Sequence, residues 1–167
     1  MDKRNGIIFI GPPCSGKSTQ AKSLAGVVSG LHHISTGTLI RNKLNDFSSD
    51  YRDDDVIRGL LVDEINRVNA KLYILDGVPR TLSQVGLVDD LFNVKNVFYF
   101  DNLTERVLRD RMKSRGRVED FSKRLNDFFE NTACLQSFYS ITRPDLYVRL
   151  DGSDESSINT MKILRYI

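Results

Sequence analysis

The chemistry this chain can do is concentrated in a lysine, an aspartate and a run of arginines. Lys17 closes most of the stretch Gly11-Pro12-Pro13-Cys14-Ser15-Gly16-Lys17-Ser18-Thr19, where glycine, glycine, lysine and serine fall at the spacing G-x-x-x-x-G-K-[ST]. Such a loop curls so that successive backbone N–H groups point at one phosphate. Glycine permits the conformations and the close approach, and the helix that opens near Gly16 adds its unpaired amides and its dipole. Lys17 supplies a mobile charge for β- and γ-phosphates, and a hydroxyl from Ser18 or Thr19 can face Mg²⁺. Asp76 follows an apolar run and leads Asp76-Gly77-Val78-Pro79-Arg80. A carboxylate at the carboxyl end of a parallel strand sits where ligands gather, and it can hold Mg²⁺ through water because magnesium keeps much of its hydration shell. Pro79 stiffens the turn that aims Arg80. Arg109, Arg111, Arg115, Arg117 and Arg124 then crowd a short stretch, with Arg111 and Arg115 one helical turn apart. Guanidinium forks bind phosphate oxygens bidentately and keep their charge when water is excluded. Arg106 and Arg109 read as merely solvated.

This much positive charge exceeds what one nucleotide needs and suits two phosphorylated substrates meeting end to end. A phosphate nucleophile is already largely ionised at neutral pH, so alignment and electrostatic stabilisation suffice and no general base is required. No Ser/His/Asp set is evident, and His32 and His33, beside a buried strand, read as structural.

The elements that position these groups alternate. Ile7–Ile10 is a short apolar strand before the loop, and a helix follows to about Val28. Leu31–Ile34 is a second strand, and Ser35-Thr36-Gly37 opens a helical stretch through Leu39, Ile40 and Leu44. Asn45–Arg52 reads as a loop, and Asp53-Asp54-Asp55 caps a helix with Val56, Ile57, Leu60, Leu61, Ile65 and Val68 at helical period. Leu72–Leu75 is a strand, about Thr81–Phe92 a helix, Val97–Phe100 a strand and Leu103–Lys113 a helix. Ser114–Val118 is a basic connection. Phe121, Leu125, Phe128, Phe129 and Leu135 mark one long helix, and Leu146–Leu150 is a fifth strand before a closing helix. Alternating strands and helices predict an α/β fold around a parallel sheet.

With 167 residues, 40% apolar and 28% charged, the chain fits one soluble domain, and no apolar run approaches the ~20 residues that span a bilayer. The N-terminus leads straight into a strand, leaving no room expected for a signal peptide. Cys14 and Cys134 make neither a disulfide framework nor a zinc pair, and a reducing cytoplasm is the expectation. A net charge of +2 is too small to argue for nucleic acid or membrane, and neither is expected as a partner.

In chain order the phosphate loop, Ser35-Thr36-Gly37 with Arg41 four residues on, Asp76–Arg80 and the arginines of 111–124 resemble adenylate kinases, over nearly the whole chain. The D-G-x-P-R element is far more specific than the phosphate loop. The resemblance implies a single kinase domain, 1–167, with a three-layer P-loop NTPase-like fold and a five-stranded parallel sheet ordered 2-3-1-4-5. It implies a small helical monophosphate-binding insertion at about 36–66 and a very short lid at about 114–120. The implied reaction is Mg²⁺-dependent, reversible phosphoryl transfer from ATP to AMP giving two ADP, in a cytoplasmic monomer. Carried over by residue, Lys17, Arg80, Arg117 and Arg124 would be catalytic. Gly11 through Thr19, Arg111 and Arg115 would hold ATP. Thr36, Arg41, Gly77, Arg80, Gln84, Arg117 and Arg124 would hold AMP, with Gln84 on the base, and Ser18 and Asp76 (through water) would hold the metal.

Four departures stand out. Cys14 takes a place usually held by glycine, with a distorted cradle and an exposed thiol as expected consequences. Thr38 stands where the family usually has Asp. The segment between Arg41 and Asp76 is shortened, and Arg115-Gly116-Arg117 compresses the lid, so some ATP hydrolysis without acceptor is expected. Pro79-Arg80-Thr81 with Gln84 favours AMP. The alternatives are a UMP/CMP or dTMP kinase and a non-catalytic P-loop module, the latter disfavoured by the presence of Lys17, Asp76 and the arginines.

Overall fold

The computed structural model describes residues 2–44, 53–114 and 120–167. Its strands are β1 (Arg4–Ile10), β2 (Leu31–Ser35), β3 (Leu72–Asp76), β4 (Phe92–Asp101) and β5 (Tyr147–Asp151). All pair in parallel, in the order β2-β3-β1-β4-β5, the α/β sheet and strand order that the resemblance implies. The helices are α1 (Lys17–Val27), α2 (Thr36–Leu44), α3 (Asp54–Arg67), α4 (Ser83–Leu91), α5 (Glu105–Lys113), α6 (Phe121–Asp127), α7 (Cys134–Thr142) and α8 (Ser156–Leu164), with a π turn at Phe128–Thr132 between α6 and α7.

Ile7 to Ile10 are all at most 2% exposed because β1 is covered on both faces, which is why the run is apolar without alternation. Successive side chains point to opposite cores. Ile8, Ile10, Leu75, Val97 and Tyr99 pack with α3, α4 and α7, whereas Ile7, Phe9, Ile74, Phe98 and Phe100 pack with α1 and α8. A third, smaller cluster joins Cys14 to Leu108 and Met112 of α5 and to Phe121 and Leu125 of α6. It fastens the phosphate loop to the helices on either side of residues 115–119. The parallel register sets Phe9 level with Asp76 and Asp76 level with Ser35, so three strand ends open on one site.

Two elements differ from the sequence reading. Phe92 begins β4 rather than ending a helix: β4 carries an extra residue opposite the Gly6/Ile7 step, which lets Phe92–Val94 pair with Arg4–Gly6 and buries Phe92. The helix expected to run through Phe121–Leu135 is interrupted by the π turn, whose Ala133 N–H donates to Phe128 O at 2.9 Å. The wider turn admits one extra residue and rotates the face, so Phe128 goes inside and Phe129 is left 61% exposed. The loop expected at Asn45–Arg52 lies outside the described residues. Asp53 caps α3 as its position predicts, accepting from the N–H groups of Asp55 and Val56. No helix among the described residues is long and apolar enough to cross a membrane.

Edge strand β2 is tied to α3 by a hydrogen bond between His32 and the buried Glu64. Glu64 lies 2.8 Å from His32 Nε2 and accepts from Arg67 at 2.5 and 2.9 Å. The Arg67 hydrogen bonds, aided by His32 and opposed by burial, hold the Glu64 carboxyl down at about 2. A carboxylate whose folded value is depressed stabilises the fold above its unfolded value, near 4.5, and loses that contribution as pH falls toward 2. Glu64→Gln is therefore expected to cost about 1–2 kcal/mol at pH 7, discounted for the exposed Arg67. In chemical denaturation the gap from wild type should close between pH 4.5 and 2. A gap that does not change with pH would assign Glu64 a packing role only.

Candidate functional site

Beyond β1 the chain turns at Gly11, which has a φ of 155°; a Cβ there would lie 2.7 Å from the carbonyl oxygen of Phe100. The loop runs to Gly16, the left-handed residue that opens α1. Lys17 Nζ folds back to donate to Gly11 O (2.6 Å), Pro12 O (2.8 Å) and Ser15 Oγ (3.1 Å). Burial, only partly offset by Asp76 and reinforced by Arg124 and Arg80, lowers Lys17 from its ordinary value to about 8. Ser18 Oγ donates to Asp76 Oδ2 at 2.6 Å, and His33 Nε2 lies 3.1 Å from the same oxygen. Burial works against the charged form of Asp76, but the His33 contact, Lys17 and Ser18 outweigh it and keep the carboxyl below its usual range.

Across the cleft stands Arg80. Gly77 adopts a φ of 90°, and a Cβ there would come within 2.7 Å of Thr36 Oγ1, so the turn after β3 demands glycine. Arg80 Nε donates to Gly77 O (3.0 Å), its N–H to Gln84 Oε1 (2.8 Å), and its carbonyl accepts from Thr132 Oγ1 (2.9 Å). Burial, then Arg124, push the Arg80 guanidinium below its ordinary value, with Asp127 and Asp76 acting the other way. It remains a cation, since arginine does not deprotonate in proteins. Arg41 and Arg80 converge on Gly37, whose Cβ would lie 3.5 Å from Arg41 Nη1 and 3.8 Å from Arg80 Nη2.

One cleft thus brings together Gly11, Pro13, Cys14, Lys17, Ser18, Arg41, Asp76, Gly77, Arg80 and Arg124. Other residues carried over by resemblance stand behind it or apart. Thr36 is fully buried, its hydroxyl donating to Gly77 O at 2.9 Å, where it props the turn that carries Arg80. Gln84 is 1% exposed, and its Nε2 has no hydrogen-bond partner among the described residues. Arg111 donates to Cys14 O (3.5 Å) and Gly152 O (3.1 Å), tying α5 to the phosphate loop and to the turn after β5. Arg109 pairs with Glu105 on the surface, as a solvated residue would. Arg115 and Arg117, and with them most of the lid expected at 114–120, lie outside the described residues.

The exposed thiol expected at Cys14 is not found. Cys14 keeps the left-handed backbone of a glycine, with φ at 65°, but its side chain is 7% exposed, with Sγ 3.7 Å from Met112 Sδ. Thr38, where the family usually has Asp, donates from its Oγ1 to Ser35 Oγ at 3.1 Å, which a carboxylate could not do, and accepts from Arg41 Nη2 at 3.2 Å. His33, read as structural, lines the cleft, as do Phe128, read as a helix core position, and Lys22, Asp127 and Thr132, which the sequence reading passed over. The signal for His33 was its register, two residues before Ser35 and therefore beside the end of β3; for Asp127 it was its place one turn beyond Arg124.

The donor set fits magnesium: Ser18 and Asp76 offer hard oxygens side by side, and a carboxylate there can hold a hydrated ion through water.

Comparison with known proteins agrees with this geometry. A family model described as adenylate kinase matches residues 9–143. The chain is 34% identical over 174 residues to adenylate kinase 1 of Synechocystis sp. (strain ATCC 27184 / PCC 6803 / Kazusa), covering 92% of this chain and 91% of that protein. It is 34% identical over 176 residues to an adenylate kinase of Prochlorococcus marinus (strain MIT 9515), covering 93% and 96%. It is 30% identical over 180 residues to adenylate kinase 1 of Nostoc sp. (strain PCC 7120 / SAG 25.82 / UTEX 2576), covering 93% and 96%. A phosphate loop, a strand-end carboxylate and facing arginines on a 2-3-1-4-5 sheet, with a family match across that same span, place this chain in the adenylate kinase family of nucleoside monophosphate kinases.

Proposed function

We propose that this chain transfers the γ-phosphoryl group of ATP to AMP, reversibly and with Mg²⁺, giving two ADP. The observation that carries the reading is the pairing of Lys17 with Arg41, Arg80 and Arg124 around one cleft. A phosphate loop alone would serve one nucleotide. Three guanidinium groups beside it supply a second polyanion site.

The roles follow from position. The loop amides and Lys17 hold the β- and γ-phosphates, Lys17 exchanging its carbonyl partners for phosphate oxygens. Arg41 and Arg80 hold the acceptor phosphate beside Gly37 and Gly77, and Arg124, which acts on both Lys17 and Arg80, is proposed to meet the charge that develops during transfer. The acceptor phosphate needs no base, being largely dianionic at neutral pH. Magnesium arriving with the nucleotide supplies charge neutralisation on the phosphates, and Ser18 and Asp76 would hold it. Gln84, with an unpaired amide nitrogen behind Arg80, is the group proposed to read the acceptor base. Arg111 and Arg115 are proposed to hold ATP, Arg111 near the base and Arg115 in the lid, and Arg117 to grip the AMP phosphate and the transferring group. Thr36 is proposed to act through the Gly77 turn. A cytoplasmic monomer is proposed.

The test is a coupled phosphoryl-transfer assay with Mg-ATP against AMP, CMP, UMP and dTMP. AMP is expected to give the highest kcat/KM by about tenfold or more, the size a matched hydrogen-bonding edge contributes to discrimination. Faster turnover of CMP or UMP would move the chain to the pyrimidine kinases of the same family, and no turnover of any acceptor would make it a binding module.

A further inference from the structure

Asp127 lines the cleft, and the mechanism above does not use it. We propose that Asp127 is a positioning residue of the acceptor pocket: its carboxylate is the counter-charge of Arg80 and Arg124 in the substrate-free enzyme and yields them to the incoming phosphate, so that it sets acceptor affinity. The inference rests on the reading of this pocket as the acceptor site.

Three observations carry it. Asp127 ends α6 one turn beyond Arg124, so both project from the same helix face into the same cleft. Asn131 Nδ2 donates to Asp127 Oδ1 at 3.0 Å and to its carbonyl at 3.1 Å, which fixes the carboxylate's orientation. The π turn that begins at the next residue places Thr132 on the Arg80 carbonyl at 2.9 Å, so Asp127, Arg80 and Arg124 are held in one frame. The two carboxylates of the cleft face its cations from different sides, both acting on Arg80. Asp76 is already bonded to Ser18 and His33 and acts on Lys17 as well as Arg80, whereas Asp127, anchored by Asn131, opposes the lowering of Arg80 from the other side of the cleft. The cleft is lined by Lys17, Lys22, Arg41, Arg80 and Arg124 against Asp76 and Asp127, a cationic excess that a bound phosphate balances. A carboxylate and a phosphate dianion compete for the same guanidinium donors and repel each other at short range. Binding the acceptor therefore includes displacing Asp127 from its partners, which weakens the bound state and speeds its release.

The experiment compares the wild-type chain with Asp127→Asn and Asp127→Glu. AMP and ribose 5-phosphate, which carries the phosphate without a base, are titrated by calorimetry, and KM is measured for AMP and for ATP. Asp127→Asn is expected to bind both probes about three- to tenfold more tightly and to lower KM for AMP, with KM for ATP moving by less than about twofold. Asp127→Glu should return the wild-type values. Unchanged or weaker ribose 5-phosphate binding in Asp127→Asn would overturn the proposal, and so would equal shifts in both KM values, the mark of a merely structural change. A wild type that prefers CMP would refute the choice of AMP and leave the ribose 5-phosphate comparison decisive. Should Asp127→Asn fail to fold, carboxyl-carbon NMR on the wild type decides: the Asp127 resonance moves on adding ribose 5-phosphate, and a stationary resonance overturns the proposal.

Discussion

Lys17→Met is expected to lower turnover by about three orders of magnitude or more while leaving the fold intact, because a charge aimed at the transferring group in a water-poor cleft is worth several kcal/mol in the transition state. The methionine keeps the length and the apolar stem. What it removes is the ammonium that now rests on Gly11 O, Pro12 O and Ser15 Oγ. Those contacts are local to the loop, so a thermal melt should move little, and it should move upward if the buried charge costs stability. The native lysine also predicts an alkaline limit. Burial lowers Lys17 to about 8 in the free enzyme, and phosphate binding demands the charged form. The sign follows: below pH 8 the ammonium is present at no cost, and above it each pH unit costs close to a factor of ten in kcat/KM for ATP. Lys17→Arg, slower in absolute terms, should lose that alkaline fall because a guanidinium does not titrate there. Near-wild-type turnover in Lys17→Met, measured with saturating AMP, would remove Lys17 from the chemistry.

How much of this site was legible beforehand depends on how local each signal is. The phosphate loop, Asp76 and Arg80 are short motifs attached to apolar strands, and a strand buried on both faces is legible without its partners. Ile7–Ile10 and Leu72–Leu75 gave both the sheet and the place of its ligand-binding edge. The shortfalls are contacts between residues distant in the chain. Nothing local distinguishes Cys14 as a solvent-facing thiol from Cys14 as the packing partner of Met112, since the two are 98 residues apart. Phe92 is equally apolar as the last turn of a helix or the first residue of a strand, and only pairing with Arg4 decides. The π turn is invisible to a 3.6-residue period, which reads Phe128 and Phe129 as equivalent although one is in the core and the other in water. His33 shows the cost of judging a residue by its strand alone: its imidazole works at the neighbouring strand's end, beside Asp76.

Arg80→Ala carries the second large effect, and it separates function from stability. The guanidinium faces the cleft from the Gly77 turn, half-buried beside Arg124 and Arg41, like charges whose repulsion Asp127 and Asp76 only partly offset. Removing it should weaken acceptor binding and lower kcat/KM for AMP by about three to four orders of magnitude, since a bidentate charge-assisted contact is lost in a desolvated site. KM for ATP should change far less. Arg80→Lys should recover little, because an ammonium supplies charge without the fork that matches a phosphate edge. Stability is expected to go the other way. The alanine relieves the repulsion with Arg124, and the backbone contacts at residue 80, its N–H to Gln84 and its carbonyl from Thr132, do not depend on the side chain. The melting temperature should hold or rise by a few degrees, the pattern of a site whose function opposes its own stability. A variant that melts much earlier and loses ATP and AMP affinity equally would mean that Arg80 holds the Gly77 turn together through its bond to Gly77 O rather than gripping the acceptor.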